Sequence, residues 1–346
     1  MRIALLMSHA DRSMAGALRD MHFMRSLALL GATIAVFRMH AGRQVEEERF
    51  LDGSVSVTFC PSDDPAPIPH RQVSAALVEA VRGFAPDVIL FKGLGYEVNA
   101  HLHRALGGGA RAGLIVGGGV SDPVLDSATF VFGEYPAQLR RHFPRHAAAG
   151  TGFVMPKYVD LDLAAAPAEG PVLHDIVNVG GLHDKRKNQA DVLPLTALGR
   201  VVLVGGGKPT EAMAAAIKAA DRSRLKLAGR LPQPDLLLLL KRCRVMVHTS
   251  TMDGLPRAVV EAMACGLPVV VYRDTIYGGF TEGQHGFMVG RDALRPAVEL
   301  LLREEKLRRA MGQRARRYVQ EQHGIPAIER TAASFLRYLA GARADA

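Results

Sequence analysis

The 346-residue chain lacks any apolar run long enough for a membrane helix, carries only three cysteines, and shows no internal repeat or low-complexity tract. The longest apolar candidate, Leu236 to Leu240, is closed at once by Lys241 and Arg242, so no segment is expected to span a bilayer. The N-terminal run is cut short by Ser8, His9 and Asp11, too early for a secretory signal, and reads as a first strand. Cys60, Cys243 and Cys265 have neither disulfide nor metal-ligand spacing, which points to a reducing cytoplasm. None of the 13 histidines has ligand spacing in a convincing helix or loop. "GGGKPT" (205–210) lacks the spacing of a phosphate loop, which argues against a nucleoside triphosphatase. No nucleic-acid partner is expected, because no aromatic interleaving or binding motif accompanies the basic charge.

What remains is an ordinary globular composition, 48% hydrophobic, in a chain long enough for two domains. The formal net charge of +9 is lopsided: residues 1–165 hold 16 basic and 16 acidic groups, residues 166–346 hold 27 and 18. A basic half beside a neutral one suits an anionic ligand, either phosphates or an anionic membrane surface. The run Arg303–Arg317 reads more simply as a solvated basic helix. Peripheral membrane contact stays open beside the cytoplasmic location. The helix from Gly16, with Arg19 and Arg25 among apolar residues, fits a membrane-facing or a core-facing role equally.

Short apolar runs alternate with helical patterns throughout, the signature of parallel sheets built from strand–helix–strand units. In the first half strands are expected at 2–7, 33–39, 55–59, 87–91, 113–117 and 129–133, with helices at 16–31 and 72–84. In the second half they are expected at 175–180, 200–205, 224–229, 244–249 and 267–272. Helices are expected there near 188–198, 210–220, 234–242, 256–265 and 292–302, and the Ala/Pro-rich stretch 162–171 reads as the linker. The expected fold class is α/β, two facing Rossmann-like doubly wound domains with a ligand cleft between them at the strand carboxyl ends. Residues 1–163 form the first domain, 172–326 the second, and 327–346 a C-terminal helix suited to packing back on the first.

The stretch "DGLPRAVVEAMACGLPVVV" (253–271) carries the chemistry. A strand leads into Asp253-Gly254, a helix follows, and Gly266 ends it before the next strand. Exposed amides at a helix start, with Gly254 permitting close backbone approach, suit a phosphate. A carboxylate there would repel phosphate, so Asp253 is expected to accept hydrogen bonds from neutral hydroxyls. Glu261, among Ala258, Val259, Val260, Ala262 and Met263, is a poor candidate for a merely solvated acid and needs partners. Sugar at Asp253, phosphates at the helix mouth and ribose at Glu261 together suit a nucleotide sugar.

This stretch resembles the signature of family 4 glycosyltransferases of the GT-B fold: an acid, Gly, an apolar residue, Pro or Gly, several residues, then Glu-Ala, small residues, Gly and a Pro-containing strand. Asp253 stands where that family usually has Glu. Other segments agree. "NVGGLHDKRKNQ" (178–189) is similar to the loop carrying an Arg and a Lys on the donor diphosphate; Lys187 matches the Lys, Arg186 is adjacent, and Gly181 stands at the Arg position. "LAGRLPQPDL" (227–236) resembles the nucleobase loop, which makes Arg230 and Leu231 candidates. "MPKYVDLDL" (155–163) resembles a domain junction, so the Asp160/Asp162 pair is read as part of it and no metal site is expected. "TEGQHGFMV" (281–289) resembles a late Gly-rich turn, and Ala15-Gly16 a loop usually bearing two glycines.

The resemblance implies a retaining, metal-independent transferase that moves a sugar from a nucleotide-sugar donor to a small-molecule, glycan or lipid-linked acceptor hydroxyl, with no cofactor. Lys187 and Asp253 are the implied catalytic residues. Gly16, Arg186, Lys187, Arg230, Leu231, Asp253, Gly254, Leu255 and Glu261 are the implied donor-binding set. Where many members carry a His, this chain has Gly118 or Gly119, and only Lys92, Asp122 and Asp126 offer substitutes nearby. Two rivals fit the same residues: a sugar-nucleotide epimerase of related fold, and a non-catalytic nucleotide-binding paralogue.

Overall fold

The structure is a computed structural model that describes residues 1–344 apart from 11, 13, 15, 16, 65–67, 118–120, 252 and 274–277. It divides into two compact units: Met1–Tyr158 with Ile325–Ala346, and Val159–Gly324.

The first unit is built on β1 (Arg2–Met7), β2 (Thr33–His40), β3 (Glu46–Phe50), β4 (Val55–Pro61), β5 (Val88–Lys92), β6 (Arg111–Ile115), β7 (Phe130–Gly133) and β8 (Gly152–Val154). Their order across the sheet is β3-β4-β2-β1-β5-β6-β7-β8, so the chain reverses its direction of winding between β1 and β5. All pairings are parallel except β3 with β4. β1 is buried on both faces, as a strand between two helical layers must be, and this explains its unbroken apolar run. The helix Leu18–Leu29 buries Met21, Phe23, Met24 and Leu27 in the core, so its apolar face looks inward.

β3 was not expected. Its sequence, Glu-Glu-Glu-Arg-Phe, carries almost no apolar signal because it is an edge strand, paired on one side only. A turn with positive φ at Leu51, Asp52 and Gly53 returns the chain from it to β4. β8, three residues long, also escaped the apolar pattern. The C-terminal helix, Gly324–Ala344, places Ile328, Ala332, Phe335 and Leu339 in the first unit's core, with Phe335 among Phe23, Phe130, Phe132 and Phe153.

The second unit holds β9 (His174–Val179), β10 (Val201–Val204), β11 (Leu225–Gly229), β12 (Cys243–His248), β13 (Val269–Tyr272) and β14 (Gly286–Val289). Their order is β11-β10-β9-β12-β13-β14, all parallel, with the reversal between β9 and β12. β14 lies inside the segment expected to be a Gly-rich turn. Its first residue, Gly286, sits so close to β13 that a Cβ would fall 1.8 Å from the Val269 carbonyl oxygen, which is why a glycine opens this strand. The helix expected near 188–198 is a 3-10 segment, Gln189–Ala197, since Pro194 inside it removes an N–H that an α-helix would use.

The passage between units falls at Tyr158/Val159, ahead of the 162–171 stretch. Asp160 caps a short helix, Leu161–Ala165, accepting from Leu163 N at 2.8 Å, and Lys241 Nζ donates to Leu163 O at 3.1 Å. That helix anchors the start of the second unit, and the cap accounts for Asp160.

Candidate functional site

The residues of interest gather at the carboxyl edge of the second sheet, around the reversal between β9 and β12, where open α/β sheets leave a crevice for ligands. From β9 the chain runs through Gly180 and Gly181 into a single 3-10 turn, Lys185–Lys187. Gly205 at the end of β10 leaves no room for a side chain here, because a Cβ would fall 1.6 Å from the Gly180 carbonyl oxygen. Asp184 caps the turn, accepting from Arg186 N at 3.1 Å and from the Arg186 guanidinium at 3.0 and 2.8 Å. The loop after β12 is tied to this turn. Thr251 N donates to Arg186 O at 3.0 Å, Thr249 Oγ1 to Lys187 O at 2.8 Å, and Asn188 Nδ2 to Thr249 O at 3.3 Å.

Across that seam Lys187 Nζ donates to Asp253 Oδ2 at 2.6 Å, and His248 Nε2 meets the same oxygen at 2.9 Å. Burial of Asp253 disfavours its charge, yet hydrogen bonds from His248, Lys187 and Ser250 outweigh that and hold its carboxyl well below the usual carboxylate range. His248, at the end of β12, is only 1% exposed, and burial keeps its pKa below the ordinary histidine value despite the neighbouring carboxylate. A neutral imidazole facing an ionised carboxylate must carry its proton on Nε2, which assigns the tautomer from the network.

The second acid lies in a different setting. Glu261, in the helix Arg257–Ala264, is 2% exposed, and Gln233 Nε2 donates to its Oε1 at 2.6 Å. Arg257 Nε stands 3.5 Å from the same oxygen. Burial raises the Glu261 pKa, and the Gln233 and Arg257 contacts pull against it. Gln233 follows the loop that leaves β11 and holds Arg230 and Leu231. The strand end at β11 and the helix after β12 are thereby joined through one hydrogen bond.

The structure therefore joins Lys187 directly to Asp253, two residues expected to serve different parts of a ligand. Arg186 is bound to Asp184 and its side chain is largely exposed. Arg230 is exposed and Leu231 half-buried; neither touches Glu261 by a hydrogen bond of its own, and Gln233 makes that link. Gly254 is half-buried and Leu255 buried, immediately ahead of Pro256, the N-cap of the helix, which offers no side-chain acceptor to the first-turn amides. A Cβ on Gly181 would stand 2.8 Å from the His183 ring, so His183 occupies the space a larger residue there would enter. Gly16, Gly118 and Gly119 lie outside the described residues. In the first unit, Asp122 accepts from Gly95 N, Asn99 Nδ2 and Val124 N at 2.8–3.0 Å, a structural cap. Lys92 is paired with Asp20, and Asp126 is exposed. Among the described residues no group of three or more His, Cys, Asp or Glu could hold a metal ion.

His248 and Gln233 were not singled out from the sequence. Each reads locally as a strand-end or helix-start residue, and its role depends on a partner five or 28 positions away.

Residues 183–318 match the family model of glycosyl transferases group 1. An uncharacterized glycosyltransferase of Methanocaldococcus jannaschii is 25% identical over 123 residues, a match that spans only 34% of this chain and 34% of that relative. Solved structures resemble the whole chain. Sucrose-phosphate synthase from Thermosynechococcus elongatus has a TM-score of 0.75 at 18% identity, covering 99% of this chain and 100% of that one. Anabaena HepE in complex with UDP-glucose has a TM-score of 0.72 at 16% identity, covering 98% and 100%. The pneumococcal O-GlcNAc transferase GtfA, in complex with UDP and GlcNAc, has a TM-score of 0.66 at 12% identity over 98% and 99%. The fold is GT-B.

Proposed function

With a glycosyl transferases group 1 match across residues 183–318 and the GT-B fold as premises, we propose that the chain transfers a sugar from a nucleotide-sugar donor to an acceptor hydroxyl, with retention of anomeric configuration. The observation that carries this reading is the Lys187–Asp253–His248 cluster at the sheet reversal, inside the matched segment. HepE and GtfA, crystallised with UDP-glucose or with UDP and GlcNAc, support a nucleotide-sugar donor.

The roles follow from the chemistry of each group. Asp253, held ionised, accepts hydrogen bonds from hydroxyls of the donor sugar. Lys187 commits one of its three N–H donors to Asp253 and offers the others to the diphosphate. Amides of Gly254, Leu255 and the helix mouth join it, so charge growing on the leaving group is met by fixed donors. Glu261 holds the ribose; both of its side-chain partners meet Oε1, so Oε2 is assigned to the sugar. Arg230 and Leu231 flank the base, and Arg186 supplies a second cation when released from Asp184. A lysine and a helix start neutralise the diphosphate in this scheme, so no metal is required.

The test is proton NMR of the product formed from an α-linked nucleotide sugar after exhaustive chelation. An α-linked product at an undiminished rate is expected. A β-linked product would refute retention, and activity restored only by manganese or magnesium would refute the Lys187 assignment.

A further inference from the structure

Asn178 interrupts the apolar end of β9, an inner strand of the second sheet, and is only 1% exposed. Inner parallel strands favour unbroken apolar runs, and a buried amide must find partners. Asn178 Nδ2 donates to Val247 O at 2.8 Å, and Gln189 Nε2 donates to Asn178 Oδ1 at 2.7 Å. The Val247 carbonyl can only accept, which fixes how both amides are turned: Asn178 gives Nδ2 to β12 and offers Oδ1 to Gln189. Gln189 is buried as well.

This pair lies where the sheet divides. The last paired residues of β9 and β12 are Val177 and Met246. Beyond them β9 stays with β10, Val179 opposite Val204, while β12 stays with β13, His248 opposite Val271. The division opens the crevice at the reversal, and it leaves the charged cluster straddling a split. Lys187 belongs to the β9 side, on a single 3-10 turn, an element too short to hold a side chain firmly by itself. His248 and Asp253 belong to the β12 side. Yet one carboxylate oxygen of Asp253 meets Lys187 at 2.6 Å and His248 at 2.9 Å, which requires the two sides to be held in register. The amide pair spans the split at its root. It runs from Val247, the residue before His248, to Gln189, two residues after Lys187.

We infer that Asn178 and Gln189 are positioning residues of the donor site: they bridge the divided strands and thereby set Lys187 against the diphosphate. The inference rests on reading Lys187 as the diphosphate ligand. A hydrophobic pair would fill the same space, but it would not link the turn that carries Lys187 to the strand end that carries His248. Small displacements of a charged donor are costly where charge develops, so the bridge bears on turnover more than on folding.

The experiment is calorimetry on the full-length protein with UDP, ADP and GDP, and with the matching nucleoside of whichever diphosphate binds most tightly. Gln189→Met keeps the length of the side chain and removes its donor. It should weaken the diphosphate by about three- to tenfold, part of the loss expected for Lys187→Ala, and leave the nucleoside unchanged. Binding stoichiometry reports the folded fraction separately from the affinity, and Gln189→Glu, of the same shape and equally unable to donate when ionised, serves if the methionine variant does not fold. In the Lys187→Ala background Gln189→Met should cost nothing further, because it acts through a lysine that is gone. Additive losses, equal weakening of nucleoside and diphosphate, or full diphosphate affinity in Gln189→Met would each overturn the inference. If Lys187→Ala weakens the diphosphate and Gln189→Met does not, the positioning role alone falls. If no diphosphate binds, or Lys187→Ala leaves its affinity unchanged, the donor reading falls and takes the inference with it.

Discussion

Asp253 and Glu261 are both carboxylates at the mouth and body of one helix, yet their surroundings drive them apart. Asp253 is held ionised by Lys187, His248 and Ser250, whereas burial raises the pKa of Glu261. The proposed roles, donor sugar at Asp253 and ribose at Glu261, are separable by substitution. Glu261→Ala should weaken nucleotide sugar and free nucleotide alike, because ribose is common to both. Asp253→Ala should slow transfer and weaken the intact donor, with free-nucleotide affinity nearly unchanged. Calorimetry with the two ligands reads this directly, and equal loss of free-nucleotide affinity in both variants would show the division of roles to be wrong. At this scale the sequence exposed the acids and the lysine, since each stands in a short local pattern with its glycine or proline. It did not expose the contacts among them. That Lys187 reaches Asp253, 66 positions on, and that His248 and Gln233 complete the two acid sites, depends on which strand ends the sheet brings together.

At the scale of elements, strands with buried faces were legible because parallel strands read as continuous apolar runs. β1, β2, β9, β10 and β12 follow that rule. Elements at the edges do not need apolar residues on both faces, and at three of the four edge strands, β3, β8 and β14, the pattern fails. β3 shows three glutamates, and β14 lies behind Gly283 and Gly286 in a segment that looks like a turn. The C-terminal helix makes its own prediction. Phe335 is fully buried within an aromatic group drawn from β7, β8 and the helix Leu18–Leu29. Phe335→Ala should therefore cost about 3–5 kcal/mol of stability, the range for removing a large buried aromatic. Urea unfolding followed by circular dichroism measures it. A loss below about 1 kcal/mol, the scale of an ordinary surface change, would mean that the helix is not part of the first unit's core.

For the molecule as a whole, titration behaviour follows from its buried and half-buried histidines. Burial is the leading cause that lowers the pKa of His22, His146, His174, His248 and His285 from the ordinary 6.5. A base whose folded pKa lies below its unfolded value contributes stability that is complete above the unfolded pKa and is lost as pH falls below it, because the unfolded chain then binds more protons. Glu261, raised on folding, acts in the opposite direction, but it is one group against five. The melting temperature should therefore fall as pH drops from 7.5 to 5, and a constant or rising value across that interval would contradict the covering of these imidazoles by the fold. The second unit, residues 159–324, holds 24 cationic against 18 anionic groups, a positive balance that suits the proposed diphosphate ligand. The most direct test of that central assignment is the rate of nucleoside diphosphate release from a nucleotide sugar, with and without acceptor, for the wild type, Lys187→Ala and Lys185→Ala. The account predicts release that depends on acceptor, a fall of about ten- to over a hundredfold in Lys187→Ala, the worth of one charged hydrogen bond, and little change in Lys185→Ala. Conversion of the donor without acceptor, or an equal and modest loss in both lysine variants, would contradict it.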